Sequence, residues 1–367
     1  MDNRKIRKLA ETAVNILIEN HGIIPSSSVV IVTDKDVNPI ISKTFQEVLE
    51  RRELQELDLL PVPILTIPLP NYSGEEPQQY TTESGSQVNA PLSPLLTQFD
   101  VAFLLTSISI THIAGSNEIQ KKPNGYVISI PGMSNVDDAK AILNTIRADP
   151  KEIKKVNDVL SQAIGLGPNK VYITSPSGTD LFLEVPRGNW KSEWGKRHPG
   201  LNVTNGAAGE LFTCPVEANG VFVIPTGSCL TTPIGMITEE IRLIIEYGSV
   251  TKITGEGQQA QTLRQRLEDT RTKITDPLLQ KAVMQIAEFS LGTNKKAPRK
   301  GRSVIVEKAI GTIHVAIGSN DVTLTEGYSP DKPPLSVGIH IDCIIMDATV
   351  VIDGKTIMKA GRLQVAA

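Results

Sequence analysis

The stretches EKAIGTIHVAIG (307–318) and GIHIDCII (338–345) carry two of the chain's five histidines, each inside a short apolar run. Side chains alternate between the two faces of a strand, so His314 shares a face with Ala316, and His340 shares a face with Asp342. A shift by one residue would bury these polar groups among the isoleucines, so the register is well specified. A lone histidine in a strand is usually an ordinary core or surface residue. Two imidazoles and a carboxylate in this repeated pattern predict a metal site.

The whole chain has 367 residues, which is long enough for two domains with separate cores. Its net charge is −3, and the basic cluster at 295–302 is interpreted as a solvated loop, so no nucleic-acid partner is expected. Three cysteines without a CxxC pair do not indicate a disulfide framework. The charged N-terminal helix does not resemble a signal peptide, and no apolar run is long enough to span a bilayer. These features predict a soluble cytoplasmic protein with no membrane partner.

Residues 1–167 alternate between strands and helices. Continuous apolar strands separated by helices are typical of an open parallel α/β sheet. No glycine-rich phosphate motif follows the first strand, so the expected role of this N-terminal domain is to shape the site and support dimerisation. The predicted strands are 27–34, 60–68, 99–113 and 125–132, and the last two predicted helices are 135–147 and 150–164.

Residues 168–367 change to hairpins. Alternating strands flank turns within 169–190 and 235–255, and a last hairpin crosses the Asp-Gly pair at 353–354. Helices are predicted at 257–270 and 276–291. The second half is therefore expected to be an antiparallel β-rich α+β domain, which holds the catalytic candidates.

Two carboxylates in this half border apolar residues. Glu210 precedes Leu211, and Glu288 is predicted on the second helix beside an apolar stripe that includes Met284 and Leu291. A solvated or capping role is one interpretation of each. The other is burial beside a charge partner, which a metal cluster would supply.

Five segments in this half resemble the metallo-aminopeptidases of the aminopeptidase T type. They are SGTDLFLEV (177–185), GELFTCPVE (209–217), IAEFSLGTN (286–294) and the two histidine strands. The resemblance implies a homodimeric hydrolase in which a metal-activated water removes N-terminal residues from a peptide substrate. It also implies two divalent metal ions, zinc, cobalt or manganese, with ligands at Glu210, Glu288, His314, His340 and Asp342.

The chain departs from that family at one position. A family tyrosine seven residues after the first ligand histidine is replaced here by Asp321, so Tyr328 is the candidate substitute. In this interpretation Glu288 carries the proton from water to the leaving amine. Lys308 is expected to be either an exposed residue at the start of a strand or a group that orients a substrate carbonyl.

A second interpretation comes from distant relatives of that family, the ring-opening dioxygenases of dihydroxypyridines. These use one iron, here held by His314, His340 and Asp342, the ligand set of a facial triad. Glu210 and Glu288 would then contact substrate or solvent. The presence of both glutamates favours two metals and hence the aminopeptidase. The missing tyrosine keeps a third interpretation open, a metal-binding relative without catalysis.

Overall fold

The structure is a computed structural model that describes residues 3–24, 26–53, 62–69, 76–111, 113–197, 202–231, 234–320 and 335–365. Contacts between Cα atoms divide the chain into two compact units. The first comprises residues 1–148 with 195–208, and the second comprises residues 149–194 with 209–367. The mixed fold class, α/β followed by α+β, is confirmed.

Helices and strands alternate in the first unit, whereas strands predominate in the second. In chain order the helices are α1 (Asn3–His21), α2 (Pro39–Glu53), α3 (Ser93–Leu96), α4 (Ala114–Lys121), α5 (Val136–Ile146), α6 (Pro150–Ile164), α7 (Gln258–Lys273), α8 (Pro277–Ala282) and α9 (Ser303–Val306). The strands are β1 (Val29–Asp34), β2 (Ile64–Ile67), β3 (Tyr80–Thr81), β4 (Gln87–Val88), β5 (Val101–Leu105), β6 (Tyr126–Ser129), β7 (Asn169–Thr174), β8 (Asp180–Val185), β9 (Lys191–Glu193), β10 (Val203–Thr204), β11 (Glu210–Thr213), β12 (Glu217–Ile224), β13 (Cys229–Leu230), β14 (Gly235–Met236), β15 (Ile241–Glu246), β16 (Ser249–Thr254), β17 (Ile286–Gly292), β18 (Ile313–Gly318), β19 (His340–Ile345), β20 (Thr349–Ile352), β21 (Lys355–Lys359) and β22 (Arg362–Leu363).

The first unit is built on a sheet of order β10-β6-β5-β1-β2-β3-β4. Strands β10, β6, β5, β1 and β2 are parallel, and β3 and β4 form an antiparallel edge. All residues of β1, β5 and β6 are buried, as expected when both faces of a parallel sheet are covered.

One buried imidazole in this unit has no charge partner. His21 ends α1 and stacks on Tyr126 with ring centroids 4.9 Å apart, and Arg197 lies 5.3 Å from the same Tyr126 ring. Burial, and secondarily the positive charge of Arg197, lowers the pKa of His21 to about 3. His21 therefore stays neutral in the folded protein down to acid pH.

The second unit contains two antiparallel sheets. One has the order β14-β13-β19-β18-β17-β11-β9, and the other has the order β16-β15-β12-β8-β7-β20-β21-β22. Apolar side chains from both sheets form one hydrophobic cluster, to which α6 and α7 add further residues. The first of these sheets, which contains β17, β18 and β19, packs one face against this core. Its other face is therefore available for polar groups.

The prediction of a helix over 276–291 is wrong in its second half. Helix α8 ends at Ala282, and Glu288 lies on strand β17. The apolar residues of this segment fit the periods of a helix and of a strand, and pairing of β17 with β11 and β18 decides between them. Helix α6 was likewise predicted to belong to the N-terminal domain, but it contacts β9 and β11 of the second unit.

Long apolar helices are absent from the described part of the chain. None of the helices there combines the length and the apolar character needed to cross a membrane.

Candidate metal centre

Three neighbouring strands bring the polar side chains to one face of the sheet. In the register of β17, β18 and β19, Ala316 lies opposite Glu288 on one side and opposite Asp342 on the other. Gly318 lies opposite His340. Residues that are directly opposite in an antiparallel pair project from the same face. The methyl group of Ala316 and the absence of a side chain at Gly318 therefore leave room for larger polar groups between the strands.

The two histidines face the carboxylates at short distances. His314 Nε2 lies 2.9 Å from Glu288 Oε1, 3.8 Å from Asp342 Oδ1 and 3.9 Å from Glu210 Oε2. His340 Nε2 lies 3.1 Å from Asp342 Oδ1 and 3.8 Å from Glu288 Oε2. All five side chains proposed as ligands from the sequence therefore converge on one place in the fold.

The His340 ring is held in a defined tautomer. Its Nδ1 lies 2.7 Å from the backbone oxygen of Ser319, which can only accept a hydrogen bond, so Nδ1 carries a proton. In the neutral ring, Nε2 then has a lone pair directed at Asp342 and Glu288. A histidine with one nitrogen donating to a backbone carbonyl and the other directed at carboxylates is oriented as metal-binding histidines are.

Hydroxyl groups fix two of the carboxylates. Thr231 Oγ1 donates to Asp342 Oδ2 at 2.9 Å and accepts from the Asp342 backbone N–H at 2.8 Å. Ser290 Oγ donates to Glu210 Oε2 at 2.9 Å. Thr231 thus orients Asp342 through Oδ2 and leaves Oδ1 facing the histidines, whereas Ser290 bonds Oε2, the Glu210 oxygen that faces His314.

Lys308 is a buried member of the cluster, and the expectation that it is an exposed lysine is wrong. Its side chain is 1 % exposed, and Nζ lies 3.1 Å from Glu307 Oε1 and 3.3 Å from Glu193 Oε2, with a hydrogen bond to Glu210 Oε1. Sequence reasoning singled out Lys308 but missed Glu193, which reaches the cluster because β9 pairs with β11. No local pattern around Glu193 distinguishes it from an ordinary exposed glutamate.

The backbone at the start of β11 is equally constrained. Gly209 has φ of +134° and lies so close to the loop after β17 that an added Cβ would be 2.4 Å from the Asn294 Cβ. Its carbonyl accepts a hydrogen bond from the Thr293 N–H at 2.9 Å. A glycine is required here, and it places Glu210 at the cluster.

Proton affinity is strongly perturbed at this site. Burial by itself lowers the pKa of both histidines, but contacts with Glu288 and Asp342 outweigh it and raise the pKa of His314 to about 9 and that of His340 to about 10. Burial by itself raises the pKa of Asp342, but the adjacent His340 outweighs this and lowers it well below its usual range. Lone pairs that face one another across about 3–4 Å bind a cation in common, either a proton or a metal ion.

The carboxyl groups around Lys308 are perturbed in opposite directions. Burial raises the pKa of Glu307 to about 8, although Lys308 opposes this. Burial also acts to raise the pKa of Glu210, but Lys308 and His314 outweigh it and lower that pKa. Burial acts to lower the pKa of Lys308, and Glu210, Glu193 and Glu307 outweigh it, so this pKa lies well above its usual value. Lys308 is therefore expected to carry its positive charge at neutral pH.

The donor set fits a divalent metal ion. Ligand atoms of Glu210, Glu288 and His314 all lie within 4.8 Å of one another, and all three side chains are buried. Imidazole and carboxylate ligands suit iron, zinc and manganese, so geometry alone does not select the metal. Two further candidates from the sequence, Asp321 and Tyr328, lie outside the described residues, and their roles stay predictions.

A family model described as NicX, 2,5-dihydroxypyridine 5,6-dioxygenase, matches residues 14–365. Among solved structures, the 2,5-dihydroxypyridine dioxygenase of Pseudomonas putida KT2440 matches with a TM-score of 0.66 and 17 % identity, covering 100 % of this chain and 99 % of the other. Wild-type AmpT of Thermus thermophilus matches with a TM-score of 0.57 and 13 % identity, covering 100 % of both chains. The comparison with curated protein sequences gives no match.

These findings correct the interpretation as a hydrolase. The family model spans nearly the whole chain and describes a dioxygenase, whereas the likeness to AmpT, at 13 % identity, shows a shared fold alone. The aminopeptidase assignment and its peptidase activity are therefore wrong for this chain. The prediction of a metal centre agrees with the buried Glu210, Glu288 and His314, whereas the two zinc, cobalt or manganese ions were implied by the aminopeptidase resemblance alone. Four of the five motifs that suggested the aminopeptidase include strands of one sheet, β11, β17, β18 and β19, and the fifth includes β8 of the other sheet, so the motifs follow the shared fold and do not specify a reaction. This chain belongs to the family of 2,5-dihydroxypyridine 5,6-dioxygenases.

Proposed function

We propose that the protein is a ring-opening dioxygenase that acts on a dihydroxypyridine with one iron ion held by His314, His340 and Asp342. The observation that carries this proposal is the approach of both Nε2 atoms to the same carboxylate oxygen. Asp342 Oδ1 lies 3.8 Å from Nε2 of His314 and 3.1 Å from Nε2 of His340. Two histidines and one carboxylate form the facial triad of non-haem iron oxygenases, which leaves positions open for other ligands.

Iron in such a site supplies the one-electron chemistry with O₂ that organic side chains lack. The protein contributes the orientation of the ligands. Ser319 sets the His340 tautomer through its backbone carbonyl, and Thr231 holds Asp342 by two hydrogen bonds. Because these partners leave His340 Nε2 and Asp342 Oδ1 directed at each other, two of the three ligand atoms are oriented by hydrogen bonds from behind.

Glu288 is the group that we assign to the substrate hydroxyl. Its Oε1 lies 2.9 Å from His314 Nε2, and its Oε2 lies 3.8 Å from His340 Nε2, so the carboxylate borders both ligand nitrogens. A hydroxyl group of a ring bound at the triad would meet this carboxylate. Glu288 would accept the hydroxyl proton and hold it while the ring opens between C5 and C6, the bond that the family description specifies.

The test is an oxygen-uptake assay. Protein purified without oxygen and loaded with Fe(II) is mixed with 2,5-dihydroxypyridine, and O₂ consumption and loss of ring absorbance are followed together. We expect equimolar consumption of ring and O₂ by the wild type, and loss of both in His340→Ala and Asp342→Ala. The control is Asp347→Ala, an exposed aspartate five residues further along the chain, which should retain activity.

Two outcomes would contradict the proposal. One is iron-loaded wild-type protein that consumes no O₂ with any dihydroxypyridine isomer. The other is full activity in Asp342→Ala together with an unchanged iron content, because the third ligand would then lie elsewhere.

A further inference from the structure

Lys308 lies in a buried group of three carboxyl groups from separate parts of the chain. Glu193 comes from β9, Glu210 from β11, and Glu307 from the turn after α9. Each has an oxygen at 3.3 Å or less from Nζ, and the Lys308 side chain is 1 % exposed. Removal of an ammonium group from water is costly, and these carboxyl groups offset that cost.

Glu210 connects this group to the proposed iron site. Its Oε1 accepts a hydrogen bond from Lys308 Nζ, while its Oε2 accepts one from Ser290 and lies 3.9 Å from His314 Nε2. One carboxylate thus lies between a fixed positive charge on one side and the metal-binding group on the other. Carboxylates hold this position between the two cations of two-metal sites.

We propose that Lys308 is a positioning residue that acts as a built-in second cation. Its ammonium group occupies the place where Glu193, Glu210 and Glu307 would otherwise hold a divalent ion, and it holds Glu210 through Oε1 while Oε2 faces His314. The inference rests on the proposed function, because it explains why five candidate ligands accompany a single iron. It concerns the number of metal ions that the site accepts, whichever reaction the site performs.

The charge balance gives this proposal its consequence. Without Lys308, the three buried carboxyl groups would lie close together with no positive charge among them, and only Glu210 would still face His314, which is a strongly unfavourable arrangement. Oxygen ligands of this kind suit hard divalent cations such as Mn²⁺. A Lys308→Met variant, which keeps a side chain of similar length without the charge, should therefore bind a divalent ion at the three carboxyl groups.

The experiment counts metals in the loaded protein. Three proteins are compared: the wild type, Lys308→Met and the control Lys170→Met, which removes an exposed lysine of the same unit. Each is loaded with Fe(II) without oxygen and then equilibrated with Mn²⁺. Elemental analysis after desalting gives iron and manganese per chain. We expect one metal ion in wild type and control, and an additional Mn²⁺ in Lys308→Met. Adding Glu193→Gln to Lys308→Met should abolish the additional ion.

Folding of the variant provides a second measurement. If Lys308→Met is unstable without metal, Mn²⁺ should raise its melting temperature. Mn²⁺ should not raise the melting temperature of Lys170→Met or of the double variant Lys308→Met with Glu193→Gln. Any of three results would overturn the proposal. The first is a folded Lys308→Met protein that binds only one metal ion, and the second is an unstable Lys308→Met protein that Mn²⁺ fails to stabilise. The third is a wild type that binds two metal ions. Oxygen uptake by the iron-loaded wild type decides the proposed function separately, so the two can fail independently.

Discussion

Thr231→Val is the most direct perturbation of the proposed iron site that leaves every ligand in place. Valine has nearly the same shape as threonine but cannot donate to Asp342 Oδ2, a hydrogen bond of 2.9 Å between groups largely removed from solvent. A hydrogen bond to a charged acceptor contributes about 1.5–3 kcal/mol, and each 1.4 kcal/mol changes an equilibrium about tenfold. We therefore expect the affinity for Fe(II) to fall about 10–100-fold, the range typical when a partner of a metal ligand is removed.

The assay is a competition titration with a chelator of known iron affinity, performed without oxygen, together with oxygen uptake at saturating iron. The matched control is Thr179→Val. Thr179 is also buried, and it is far from the proposed ligands in sequence. Its Oγ1 likewise makes two hydrogen bonds: it accepts one from the backbone N–H of Val223 and donates one to the backbone carbonyl of Val223. Both variants should lose stability, because each leaves a buried N–H without its acceptor. Equal iron affinity in the two variants would refute the role assigned to Thr231.

Three further changes test the surrounding structure. The wild type should lose unfolding free energy between pH 7 and pH 5, because below about pH 6.5 the unfolded chain protonates His21 while the folded state, in which the pKa of His21 is about 3, does not. His21→Phe should reduce that loss by about 2 kcal/mol. Denaturant titrations at both pH values measure it, and an unchanged loss would contradict the prediction. Gly209→Ala should destabilise the protein by about 1–3 kcal/mol, because the alanine Cβ would collide with Asn294. The displacement of Glu210 should also weaken metal binding. An unfolding midpoint equal to that of the wild type would contradict the prediction. Ser290→Ala should lower the unfolding free energy of the metal-free protein by about 1.5–3 kcal/mol through the lost hydrogen bond to Glu210, and no change would show that Lys308 alone fixes that carboxylate.

The alternation of side chains along strands predicted much of the candidate site. His314, His340 and Asp342 do lie on one face, because a strand's period is set by its backbone and a displaced register would bury charged groups in the core. The hairpins at 169–190 and 235–255 were predictable for the same reason, since alternation and turn residues are local properties. The mixed fold class followed from continuous apolar strands in the first half and alternating strands in the second.

Pairing between distant segments decided the rest. Residues 286–292 fit either a helix or a strand by their own pattern, and Glu288 reaches the histidines because β17 hydrogen-bonds to β11 and β18. Lys308 and Glu193 lie 115 positions apart, and only the neighbourhood of β9 and β11 brings them together. An isolated lysine in a sequence is expected to be exposed, because burial of its charge is unfavourable without partners. Those partners come from elsewhere in the chain, so whether Lys308 is a solvated residue or a fixed cation beside the metal site is a property of the tertiary structure.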